Sequence, residues 1–163
     1  MAEVRTANVV WTGDLVNGSG MITYVTSGVF SRLPISWAAR TSEHNGKTSP
    51  EELLAAAHAA CFSMAFSVRL GKNGTPATNL DVRAEVTFDQ VDGGWKVATS
   101  VLKVKGTVPG IDKATFDRLA DDAKDNCPIS AAIRGNVEIA VEAELVDAST
   151  APPASPAATQ GVS

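Results

Sequence analysis

The sequence predicts an α+β domain with a largely antiparallel sheet, and three observations carry that prediction. Residues 80–89 alternate apolar and polar, with Val82, Ala84, Val86 and Phe88 on one face, the period of a half-buried strand. Residues 53–68 are apolar on every side of a helix, interrupted only by His58, Ser63 and Ser67. The elements run as strands, a long helix, a hairpin, two helices and a last strand, which segregates helices from strands instead of alternating them.

Each element has its local signal. Residues 4–11 are rich in β-formers, and turn residues over 13–20 separate them from a second strand at 21–26. Ser36 and Trp37 are assigned to a short third strand, and residues 40–49 are polar and read as a loop. Ser49 is a good N-cap for the long helix, and Pro50 suits its first position, where a missing N–H costs nothing. Glu52 stands three residues after Ser49 and completes a capping box. This helix is expected to stop near Leu70, with Gly71 as its left-handed cap. After the strand at 80–89, Val91-Asp92-Gly93-Gly94 is a hairpin signal and 95–108 returns as a strand. Asp112 caps a second helix to about Lys124, with Phe116, Leu119 and Ala120 on its apolar face. Pro128 opens a short third helix to about Arg134, and residues 136–146 form the last strand. Residues 1–147 make one domain, and 148–163, all Ala, Pro, Ser, Thr and similar residues without periodicity, are expected to be a disordered tail.

The long helix constrains the assembly. Its apolar run is about 16 residues with a histidine inside, short of the roughly 20 that a bilayer needs, so no membrane span is assigned. A helix that is apolar all round must be covered all round, and the strands of one chain cover only part of it. Two such helices packed together in a homodimer solve the problem.

Composition removes other classes. The net charge is −4 with lysines and arginines scattered, which argues against a nucleic-acid binder. Met1-Ala2-Glu3-Val4-Arg5 has neither a basic run nor an apolar segment of a signal peptide, so a cytoplasmic location is expected. There, stable structural disulfides are uncommon, and two cysteines are either inert core thiols or redox groups.

Cys61 has Ala57, His58, Met64 and Ala65 one turn away. That apolar setting alone raises a thiol pKa, so a reactive Cys61 needs an imported cation, from His58 or a loop arginine such as Arg40. Cys127 directly precedes Pro128 at a helix start, where the partial positive charge favours a thiolate. Its reading as an inert helix-start residue stays open. Cys61, Cys127, His44 and His58 are the inventory of a zinc site, but no CxxC or HxxxH pair joins them, and no metal is assigned. A Cys–His hydrolase pair at 58 and 61 lacks an orienting third group, and His58 reads as a packed or hydrogen-bonded helix residue.

At these residues the chain resembles the OsmC/Ohr family, the osmotically inducible protein C and organic hydroperoxide resistance proteins. Thr48-Ser49-Pro50-Glu51-Glu52-Leu53, followed by Ala57-His58-Ala59-Ala60-Cys61-Phe62-Ser63-Met64-Ala65, is similar to the OsmC branch above all. Val108-Pro109-Gly110-Ile111-Asp112 and Cys127-Pro128-Ile129-Ser130 add to the likeness, which covers about residues 5–146. The resemblance implies an OsmC-like fold, with antiparallel sheet wrapped around long central helices in an intertwined homodimer whose sites lie at the interface. It also implies a thiol-dependent peroxidase that reduces hydroperoxides, organic ones preferred, without haem, flavin or metal cofactor. Carried over, Cys61 is the peroxidatic cysteine, Cys127 the resolving one, and Glu51 and Arg40 the accompanying charges. The thiolate of Cys61 would then attack the peroxide to give a sulfenic acid, Cys127 would close a disulfide, and an external dithiol would reduce it. The apolar side chains Phe62, Met64 and Phe66 would suit an alkyl hydroperoxide. A non-enzymatic stress-response or binding protein with structural cysteines is the alternative.

Overall fold

The structure, a computed structural model, describes residues 1–147; the tail expected at 148–163 lies outside the described residues. Strands β1 (Ala7–Thr12), β2 (Ser19–Val25) and β3 (Leu33–Ile35) form an antiparallel sheet in that order. The third strand lies before Ser36 and Trp37, not on them. The Ser36 hydroxyl accepts the amide of Ala39 at 3.2 Å and turns the chain into a one-turn helix, α1 (Ala38–Thr41). Arg40 therefore sits on α1 and not in an open loop.

Helix α2 (Pro50–Lys72) starts as its sequence dictates, with Ser49 Oγ accepting the Glu52 amide at 3.2 Å. Only this half of the capping box forms, because the Glu52 carboxylate accepts the Thr48 hydroxyl at 2.6 Å instead of reaching back to Ser49. The helix runs past the expected stop. Gly71 stays helical, and Gly74 takes the left-handed conformation at φ +79°. Thr75 N–H to the Leu70 carbonyl (3.1 Å) and Gly74 N–H to that of Gly71 (3.0 Å) close a Schellman motif there.

The second sheet contains β4 (Asn79–Val91), β5 (Gly94–Thr107) and β6 (Glu138–Leu145). Asp92 (φ 52°) and Gly93 (φ 81°) supply the two positive φ angles of a type I′ turn joining β4 to β5. Helices α3 (Lys113–Asn126) and α4 (Pro128–Ile133) follow, with Asp112 Oδ1 accepting the Thr115 amide at 2.9 Å to cap α3. Because α3 and α4 carry the chain back across one face, β6 pairs parallel with β5, a departure from antiparallel pairing that a helical crossover imposes.

The core lies between this sheet and its helices. Phe62, Phe66 and Leu70 of α2 meet Leu102 and Val104 of β5 and Phe116, Ala120 and Ala123 of α3, all at most 1% exposed. The opposite sheet face is charged, with Lys103–Glu85 at 2.9 Å and Lys105–Glu144 at 3.0 Å. On α2 the buried positions 58, 62, 66 and 70 recur every fourth residue, one stripe only. Across the helix, Ala56, Ala57, Ala60, Met64 and Val68 are exposed, so the described residues leave an apolar face uncovered. β1 is exposed at all six residues. Length and composition alone would let α2 cross a membrane. Its buried Glu51 and His58 and its packing on α3 and the sheet make it the core helix of a soluble domain.

Candidate active site

The two cysteines are brought together although 66 positions of sequence separate them. Cys61 projects from the middle of α2, half-buried, beside the core stripe. Cys127 stands between α3 and α4 and is fully buried. Their side chains lie close enough to influence one another, and the backbone N–H of Ile129, in the first turn of α4, is near enough to favour the Cys61 thiolate. Burial pushes the Cys61 thiol up from its ordinary value, the Ile129 amide opposes this, and the neighbouring Cys127 adds to the rise. Cys127 is the N-cap of α4, as its place before Pro128 predicts, and it also closes α3.

His58 is not a cation for Cys61. It is fully buried, with Nδ1 2.7 Å from Ser100 Oγ and Nε2 2.9 Å from Ser130 Oγ, and burial lowers its pKa. Both ring nitrogens are thus engaged by serine hydroxyls, and the imidazole is neutral at physiological pH.

The second group of predicted residues also assembles, but elsewhere. Arg40 and Glu51 form a forked ion pair: Nη2 donates to Oε1 at 2.6 Å, and Nε lies 3.2 Å from both carboxylate oxygens. The Glu51 carboxylate is only 9% exposed. The Arg40 guanidinium lies 4.0 Å over the Phe88 ring and 5.5 Å from that of Trp37, while Trp95 stacks on Phe88 at 5.0 Å. Nothing in the sequence marked Phe88 or Trp95 for this role, because Phe88 meets Arg40, and Trp95 backs Phe88, only through the β4–β5 hairpin. Within one chain the pair is remote from Cys61: ten residues of helix amount to about 15 Å along the axis and about 80° around it. So the chain holds two separate clusters, the cysteine pair against the middle of α2 and the Arg40–Glu51 ion pair at its start.

The expected apolar walls need correcting. Phe62 and Phe66 lie wholly in the core against Phe116, and of the three only Met64, 65% exposed, is open to a ligand. His44 is exposed. Among the described residues no group of three or more His, Cys, Asp or Glu is placed to hold a metal ion.

A mixed α+β domain with a half-buried cysteine on its core helix and a second at a helix junction defines a class of two-cysteine domains. Comparison with known proteins gives that class a family. Residues 43–142 match the model of the OsmC-like protein family. The chain is 41% identical over 129 residues to peroxiredoxin OsmC of Escherichia coli (strain K12), covering 79% of this chain and 89% of that protein. It is 34% identical over 93 residues to an organic hydroperoxide resistance protein of Xanthomonas axonopodis pv. citri, covering 56% of this chain and 63% of that one. The crystal structure of the organic hydroperoxide resistance protein OhrB of Bacillus subtilis superposes with a TM-score of 0.66 at 29% identity, over 85% of this chain and 98% of that chain. The chain belongs to the OsmC-like family.

Proposed function

We propose that this protein is a thiol-dependent peroxidase that detoxifies hydroperoxides, organic ones in preference. The observation that carries the reading is the contact between half-buried Cys61 and buried Cys127, in a family whose named members are a peroxiredoxin and organic hydroperoxide resistance proteins. The Cys61 thiolate attacks the distal peroxide oxygen, the O–O bond breaks, and an alcohol leaves after protonation, with a sulfenic acid on Cys61. The Cys127 sulfur then attacks that sulfenic sulfur, expels water and closes a disulfide, which an external dithiol reduces. No cofactor enters this cycle.

The working unit on this reading is a cytoplasmic homodimer. Its support is the uncovered stripe of Ala57, Ala60, Met64 and Val68 on α2 and a first strand exposed along its whole length. Crossing two α2 helices brings Arg40 and Glu51 of one protomer to Cys61 of its partner, supplying the cation that burial of the thiol demands.

Mass spectrometry after one equivalent of cumene hydroperoxide tests the cycle. Wild type loses two hydrogens, the Cys127→Ser variant gains one oxygen, and the Cys61→Ser variant is unchanged. Equal turnover by all three proteins with a dithiol donor would overturn the assignment.

A further inference from the structure

His58 occupies a core position. It continues the stripe of Phe62, Phe66 and Leu70, where an apolar side chain would pack without any polar partner. Instead three polar groups are sealed there together: His58, Ser100 and Ser130 are each 0% exposed. A buried polar group is costly unless it is bonded, and a fully bonded network fixes geometry more narrowly than apolar packing. This network joins three elements: α2 through His58, β5 through Ser100 and α4 through Ser130.

What α4 carries gives the network its meaning. The helix has only six residues, so its placement depends on what its first turn touches. Cys127 immediately precedes it, the Ile129 N–H lies near enough to Cys61 to favour its thiolate, and Ser130 is the next residue. His58 lies one turn before Cys61 on the same helix. We infer that His58 is a positioning residue for the cysteine pair: its imidazole, anchored on Ser100, grips Ser130 and holds the first turn of α4 so that Cys127 and the Ile129 amide face Cys61. The role in disulfide closure rests on the peroxidase reading; the role in placing the amide does not.

The step it serves is the condensation of Cys61–SOH with Cys127–SH. The S–S bond forms as the S–O bond breaks, the Cys127 sulfur is oxidised and the sulfenic sulfur reduced, and the departing hydroxide leaves as water with the Cys127 proton. A displaced α4 slows this step and leaves the sulfenic acid to a second peroxide, which oxidises it to sulfinic acid.

Two substitutions separate the bonds. Glutamine places its amide near the position of Nε2 and retains the bond to Ser130; asparagine reaches only the position of Nδ1 and retains the bond to Ser100. The first readout needs no peroxide: thiolate absorbance of Cys61 against pH, in the Cys127→Ser background. His58→Asn is expected to raise the Cys61 pKa by about one unit through loss of the Ile129 amide, with His58→Gln close to the parent. The second readout, with Cys127 present, is the fraction of Cys61 driven to sulfinic acid by rising cumene hydroperoxide. It is expected to climb several-fold in His58→Asn and not in His58→Gln. Ser130→Ala, which removes one hydroxyl and leaves the packing intact, is expected to reproduce the His58→Asn behaviour and serves if that variant does not fold. An unshifted thiol pKa together with an unchanged sulfinic fraction in a folded His58→Asn or Ser130→Ala variant would overturn the inference. A wild type that consumes no hydroperoxide would sink the peroxidase reading, and the thiol titration would still decide the positioning role.

Discussion

Mixing two inactive variants, Cys61→Ser and Arg40→Ala, gives the most direct test of how the two clusters combine. A thiol with a pKa of ~8.5 is only about 3% ionised at pH 7, whereas one at ~6 is about 90% ionised, a ratio of about 30. Supplying that shift takes about 3–4 kcal/mol of differential stabilisation, within reach of a partly desolvated guanidinium. Burial raises the Cys61 thiol and so opposes its ionisation, and a loss on the order of that ratio is expected on removing Arg40. Arg40→Ala homodimers are therefore expected at about 1/30 of wild-type turnover, and Cys61→Ser homodimers at zero. Refolding an equimolar mixture makes half of the dimers hybrid. Each hybrid has one complete site, with Cys61 from one protomer and Arg40 from the other, so about one quarter of wild-type activity returns. The assay is hydroperoxide consumption with a dithiol donor, measured before and after co-refolding, with each variant refolded alone as the baseline. Pairing within one chain leaves every hybrid without a complete site. A mixture that stays at the baseline while size exclusion shows hybrids present would refute the argument from the length of α2.

Three further outcomes follow from particular contacts. Met64→Glu places a charge in the uncovered apolar stripe and is expected to convert a dimeric mass to a monomeric one by light scattering, with Val68→Glu behaving alike; a monomeric wild type would contradict the stripe's assignment. Gly106→Ala is expected to lower stability by about 1–3 kcal/mol in urea denaturation, because its Cβ would stand 2.6 Å from the Phe116 ring inside the core; an unchanged midpoint would show that the ring yields freely. His58 is held below its ordinary pKa by burial, so the unfolded chain takes up a proton first as pH falls through about 6.5, and native stability drops by up to about 1.4 kcal/mol per pH unit. The stability gap between wild type and His58→Gln should accordingly narrow below that pH; a constant gap would mean that the native imidazole titrates as in solution.

Much of this protein is written in local sequence. The Ser49–Pro50 start, the Asp112 cap and the Asp92–Gly93 turn each solve a backbone problem within four residues, and all three stand where the sequence put them. The period-two pattern over 80–89 and the all-apolar run over 53–68 placed a strand and a core helix for the same reason: side-chain direction is fixed by backbone geometry. Gly71 failed as a cap because a glycine ends a helix only where the next contacts reward a left-handed turn, and Gly74 has the better pair of carbonyls. Tertiary structure decided what depends on long-range approach. The parallel entry of β6 was set by the α3–α4 crossover, and the aromatic support of Arg40 by the reach of the β4–β5 hairpin. Ser100 stands in no motif and Ser130 is only the last residue of one, and neither hydroxyl announces a partner until a buried imidazole meets it. The sequence could place Cys61 on a helix, Cys127 and Glu51 at helix starts and Arg40 in the stretch before the long helix. Only folding, which costs chain entropy to close loops of such length, could bring Cys127 to Cys61 and leave the Arg40–Glu51 pair apart from them at the start of α2.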